Sequence, residues 1–229
     1  MAPYFNASHL PQANNEYVAW VDVMGVQKHM ARSISTTANF IFKLHVAALE
    51  SRAQLTLYPV MDGVYATTPN QAHMLGFLTS VFSSIADEFS NEQNQERKFI
   101  IRAGLAFGPT IHGSRLSQQA SPTLHNNMNY RSSILLGLPM VQAHLGERSA
   151  PPFGVFVHES ARSFAPQGQQ PIHFAWWRWK SFAATATWDA LTTSLPQHFD
   201  WCLARSLPLE YDEKRIEAHA EMYEQYTAD

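Results

Sequence analysis

Apolar residues crowd one stretch near the start of the chain. In "YVAWVDVMGV", residues 17–26, Val18, Trp20, Val21, Val23 and Met24 surround a single carboxylate, Asp22. A run this apolar predicts a buried strand over residues 16–23, and a charge inside it is costly unless something pairs with it. Val26, Met30, Ile34, Ile41, Leu44 and Ala48 follow at helical spacing, which predicts one helix with a single buried stripe. "QLTLYPVMDGVYATTP" then reads as two short strands around Asp62-Gly63, a pair that supplies the positive backbone angles of a tight turn. Pro59 sits awkwardly there, because proline cannot donate to a strand ladder.

A second helix is predicted over about 70–90, with Met74, Leu78, Val81, Ile85 and Phe89 on one face and Pro69-Asn70 at its start. "SNEQNQERK" is polar and reads as a loop. "FIIRAGLAFG" reads as a strand ending at Gly108-Pro109. Residues 114–130, rich in Ser, Asn and His, read as a loop, and a helix follows at 139–147 with Pro139 in its first turn. "FGVFVH" and "HFAWWRWK" read as further strands, and "EKRIEAHAEMYEQY" as a polar C-terminal helix.

The order strand, helix, strand, strand, helix, strand predicts an α+β fold of the ferredoxin-like βαββαβ kind, with helices on one face of a mainly antiparallel sheet. We expect one domain over 1–229, with a core at about 16–160 and extra strand and helix elements at about 161–229. In that topology the third strand lies between the first two. Asp22, at the end of strand one, then adjoins the turn carrying Asp62. Two such carboxylates repel unless a proton or a cation lies between them. Magnesium-like ions accept one or two carboxylates and complete their shell with water and phosphate oxygens, which suits phosphoryl or nucleotidyl transfer. Taken singly, Asp62 is an ordinary turn residue and Asp22 an ordinary helix cap.

The charge balance narrows the partners. A net charge of -3 and the absence of a basic run argue against a nucleic-acid polymer. One cysteine, Cys202, allows no internal disulfide and no thiolate cage. No signal-peptide pattern or membrane-length apolar run is present, so the expected setting is the cytoplasm without membrane insertion. The eleven histidines include no His-x-x-x-His pair, and no Gly-x-Ser-x-Gly elbow occurs. Trp176, Trp177 and Trp179 are expected in a core or a subunit contact.

Three segments together resemble the class III nucleotidyl cyclases. "VAWVDVMGV" is similar to their first strand, "LYPVMDGVYATTP" to their hairpin, and "IRAGLAFGPTIHG" to their fourth strand and the loop after it; "GLPMVQAHLGERSAPPFGVFV" is a weaker fourth match. The resemblance implies Asp22, Asp62 and the carbonyl of Val23 as ligands of two Mn2+ or Mg2+ ions, with Asp22 and Asp62 catalytic. It also implies a homodimer with active sites at the interface. Two departures stand out. Val141 and Leu145 occupy the spacing at which purine cyclases carry a transition-state Asn and Arg, leaving Arg102, Arg131 or Arg148 to supply a cation. Tyr58 stands four residues before Asp62, where adenylyl cyclases carry a base-reading Lys.

With these departures the chain is most similar to the bacterial pyrimidine cyclases of the Pycsar anti-phage systems. The reading implied is UTP, or second CTP, converted to the 3′,5′-cyclic nucleotide, with Tyr58 and Arg102 contacting substrate and the product acting on a separate effector. The alternatives are a purine cyclase and a catalytically silent cyclase-like domain that binds a nucleotide or a partner.

Overall fold

The computed structural model describes residues 4–51, 53–209 and 211–228, so the first three residues of the N-terminal arm lie outside it. The expected strand one is β1, Asn14–Val23, two residues longer at its start than predicted. Helices α1, Val26–Arg32, and α2, Ile34–Glu50, follow it. Strands β2, Thr56–Val60, and β3, Gly63–Thr68, form the hairpin. Helix α3, Gln71–Asn91, and strand β4, Ile101–His112, complete the βαββαβ order.

The predicted single helix from Val26 is in fact two. Ser33 leaves the helical region with φ -153°, and its hydroxyl caps α2 by accepting from the Thr36 amide. The break turns the expected stripe: Val26, Leu44 and Ala48 are buried, but Ile34 is 74% exposed and Met30 is exposed too. Phe40 takes their place in the core. Helix α3 matches its pattern, with Met74, Leu78, Val81, Ile85 and Phe89 all buried and Asn70 capping it through the His73 amide.

Beyond β4 the expected loop at 114–130 holds a short 3-10 turn at Gly113–Arg115 and two brief helices, α4, Pro122–Asn126, and α5, Met128–Ser132. Strand β5, Leu135–Leu136, leads into α6, Leu138–Glu147, near the predicted bounds. Strand β6, Val155–Val157, precedes α7, Glu159–Ser163. "HFAWWRWK" is only briefly extended: β7 is Trp176–Trp177, and Trp179–Phe182 is a 3-10 turn. The turn lets Trp179 bury fully and donate its indole N–H to the Phe153 carbonyl at 2.8 Å. Helix α8, Thr185–Leu203, was not legible in the sequence; α9, Ser206–Leu209, and α10, Glu213–Thr227, end the described chain.

The sheet runs β2-β3-β1-β4-β6-β7, with β5 also paired to β4. β4–β6 is parallel and the other pairs are antiparallel. Pro59 is tolerated because β2 is an edge strand. Period-two alternation splits β1 between two faces. Tyr17, Ala19, Val21 and Val23 join Phe40, Leu44, Phe77 and Leu78 in the main core under α2 and α3. Val18 and Trp20 face the other way, with Tyr58, Tyr65 and Ala106, and are met by Ala143 of α6. The expectation of helices on one face alone is corrected here: α6 crosses the second face. No helix among the described residues is long and apolar enough to cross a membrane.

Candidate functional site

The second face carries the chemistry. Register sets Asp22 directly between Gly63 of β3 and Arg102 of β4. Asp62 immediately precedes Gly63, so the topology brings the two carboxylates together at one end of the sheet, as the sequence predicts. The positive φ of the turn lies on Met61, at 50°, and not on Gly63 as the Asp-Gly pattern suggests. Gly63 is needed for another reason: a Cβ there would sit 2.4 Å from the Trp20 ring.

Asp22 is partly buried, and its Oδ1 is sealed from solvent with no hydrogen-bond partner. Its pKa is pushed up to about 7, first by burial, then by the negative charges of Glu147 and Asp62; Arg102 and the Val23 amide pull the other way. A carboxylate in this position lacks positive charge, and one orphaned oxygen points to where it is lacking. The donor set suits a hard cation, which takes few protein ligands and many waters or phosphate oxygens. Among the described residues no group of three or more His, Cys, Asp or Glu forms a closed metal cage. Asp22 does not cap α1, whose N-cap is Gly25 with no side-chain hydrogen bond.

Glu147, at the end of α6, was missed by the sequence reading. It is buried, its Oε1 lies 2.7 Å from the Arg102 guanidinium, and its charge reaches Asp22. Gly104 makes this placement possible, because a Cβ there would lie 2.0 Å from the Ala143 carbonyl. Only a bare backbone lets α6 come so close to β4.

Tyr58 lies on the same face, in the register row of Tyr65 and Trp20, next to the row of Asp22. It is 2% exposed, and its hydroxyl is hydrogen-bonded to His112 Nδ1. His112 Nε2 in turn lies 2.8 Å from Glu16 Oε2. Burial alone would raise Glu16, but the hydrogen bond and the charge of His112, with the nearby Thr110 and Thr67 hydroxyls, outweigh it and hold the carboxyl below its ordinary range. Burial, with the Glu16 charge, pushes Tyr58 up to about 12. Arg131 is tied to the Leu116 carbonyl and His125, and Arg148 is exposed at the end of α6. Val141 and Leu145 are 53% and 57% exposed on α6.

Among solved structures the chain is similar to a bacterial light-regulated adenylyl cyclase, with 14% identity, a TM-score of 0.50, and coverage of 64% of this chain and 77% of that one. The fold is that of a class III nucleotide cyclase domain. At this identity the likeness to the cyclase speaks for fold alone. Another cyclase of similar shape is the monomeric guanylyl cyclase domain of the RhoGC fusion protein from the aquatic fungus Blastocladiella emersonii, at 15% identity and a TM-score of 0.49, covering 66% of this chain and 85% of that one. The guanylate cyclase domain of RhGC from Catenaria anguillulae, solved with GTP, has 14% identity and a TM-score of 0.49, covering 66% of this chain and 81% of that one. No protein-family profile and no curated protein matches the sequence.

Proposed function

We propose that the chain is a nucleotide cyclase that turns UTP, or second CTP, into its 3′,5′-cyclic nucleotide and pyrophosphate, as a second-messenger synthase of anti-phage signalling in the cytoplasm. The observation that carries the cyclase reading is the convergence of Asp22 and Asp62 around a buried, unpartnered carboxylate oxygen. Asp22, Asp62 and the Val23 carbonyl are the groups that would hold two Mn2+ or Mg2+ ions. Such ions, when bound, lower the pKa of the attacking hydroxyl and stabilise charge on the departing phosphates. The ribose 3′-oxygen forms a bond to the α-phosphorus as the bond from that phosphorus to the pyrophosphate oxygen breaks.

Arg102 stands beside the carboxylates as the cation for the phosphates, held in place by Glu147. The buried β4 backbone and α6 limit its motion, so orientation costs little at the moment of reaction. The pyrimidine preference rests on Tyr58 in the place of a base-reading Lys. With its hydroxyl bonded to His112, Tyr58 would act on the base by bulk and not by donating a hydrogen bond. A second copy of the chain would complete the site: Leu138, Val141 and Leu145 leave an exposed apolar strip on α6, beside Leu136. A stable interface needs such a strip at its centre.

Two observations favour other readings. The apolar, exposed Val141 and Leu145 suit a catalytically silent binding domain, and the engaged Tyr58 hydroxyl leaves base choice to other groups, so a purine substrate fits as well. One experiment separates all three. Purified protein is incubated with Mn2+ and each of the four nucleoside triphosphates, and cyclic product and pyrophosphate are measured. Formation of cyclic UMP or CMP, lost in Asp62→Ala and Asp22→Asn, is the expected result. Cyclic AMP or GMP would replace the pyrimidine reading, and equal, negligible turnover by wild type and both variants would end the enzymatic one.

A further inference from the structure

The C-terminal helices enclose a second place for charge. A cavity of about 110 Å³ lies where α8 and α10 meet the turn after β1 and the segment entering β4. Its described walls carry Lys28, Arg32, Lys98, Arg102 and Arg215 against one acid, Glu96. Arg102 is ion-paired with Glu147, at the border with the carboxylate pair. Lys98 is compensated only at a distance: it is 6% exposed, its ammonium lies 4.6 Å from the Phe89 ring centre, burial lowers its pKa, and the charge of Glu92 pulls the other way without a direct hydrogen bond or ion pair among the described residues. A cation–π contact recovers only part of the hydration an ammonium gives up on burial.

Two histidines border the same cations. His198 is pushed down to about 4 by burial first, then by Lys98 and His29. His219 is likewise pushed to about 4 by burial, then by Arg102 and Arg215. Both are neutral at pH 7, so neither adds to the charge, and each already has a partner, Gln95 for His198 and Tyr211 for His219. The remaining walls are apolar and aromatic, with Phe99 on one side and Trp201 stacked on His198 on the other. Several cations converging on an enclosed space with aromatic walls match a phosphate group attached to a compact organic body.

We propose that this cavity binds a phosphorylated small molecule, at a site separate from the Asp22–Asp62 pair. Lys98 and Arg215 grip the phosphate from two walls, the segment entering β4 and α10, with Arg32 closing from α1. The C-terminal helices thereby gain a task that the βαββαβ core does not need. Occupancy bears on the neighbouring carboxylates through the backbone. Met24 and Gly25, which line the cavity, directly follow Val23, and the Met24 amide donates to the Ile100 carbonyl at 2.8 Å.

The binding claim stands independently of cyclase activity and is tested without it. Calorimetric titration of the full chain with inorganic tripolyphosphate, in EDTA, compares wild type with Lys98→Met, Arg215→Gln and Asp62→Asn. The expected result is saturable binding, unchanged in Asp62→Asn and weakened about tenfold or more in each of the other two, the effect of one charge-assisted contact. If Lys98→Met does not fold, the exposed-surface pair Arg32→Gln and Arg215→Gln decides in its place. Absence of saturation up to about 1 mM, equal affinity in all variants, or loss confined to Asp62→Asn would each overturn the proposal.

Discussion

Asp22, Arg102 and Glu147 form one electrostatic unit, and its balance is set by which charge sits deepest. Glu147 is the more buried carboxylate and takes the guanidinium, so Asp22 is left facing two negative neighbours with partial compensation. Removing Glu147 as a charge therefore harms the fold before it harms any chemistry. Glu147→Gln is expected to cost about 3 kcal/mol in urea unfolding, because it strands a mostly buried guanidinium. Pairing it with Arg102→Met should recover much of that loss, and simple addition of the two single effects would show that the ion pair is not coupled. Asp22 and Asp62 were legible in the sequence because a lone carboxylate in an apolar run and an Asp before a turn Gly both stand out. Glu147 was not, since a Glu at a helix end ordinarily points to water. Tyr58 was visible as an oddity, but its bond to His112, 54 positions away, exists only once β2 and β4 share a face.

At the scale of elements, α6 decides where the site's third carboxylate lies, and Gly104 decides where α6 lies. Gly104→Ala is expected to lower stability by about 3 kcal/mol, the upper end of what overpacking costs, since the contact is with backbone that cannot rotate away. Thermal melting followed by circular dichroism reads this directly; an unchanged midpoint would mean that α6 does not press on β4. Elements whose burial follows a clean period, such as β1 and α3, were readable from the pattern. Those shaped by a single hydroxyl were not: Ser33 ends one helix and starts another by offering its side chain to the Thr36 amide. Helix α8 escaped notice because it carries Pro196 and a run of threonines, both poor helix formers. Leu191, Leu195, Phe199 and Cys202 are buried along it, and packing against α3 supplies what propensity lacks.

For the molecule as a whole, the two faces of the sheet have different fates. One is closed by α2 and α3, while the other, past α6, keeps an apolar strip in the open. The proposed dimer would cover that strip. Sedimentation velocity over a range of concentrations should show a reversible dimer, and Leu145→Glu should hold the chain monomeric. If active sites form between copies, the same change should lower turnover by about a hundredfold, the cost of misplaced reacting groups. A Leu145→Glu protein that stays monomeric yet fully active would remove the second copy from the reaction.

The sequence by itself determined the order of the core strands and the convergence of Asp22 with Asp62. Both follow from local periodicity, a turn and one topological rule, none of which needs distant side chains. Tertiary structure alone decided that Glu147 takes Arg102 and leaves Asp22 Oδ1 without a partner. It alone decided that Tyr58 is bound into a buried relay, and that the C-terminal helices wall a cationic cavity beside the turn after β1. These features arise from residues far apart in the chain whose charges and volumes meet only after the sheet has formed. No spacing along the sequence encodes the depth at which each charge comes to rest.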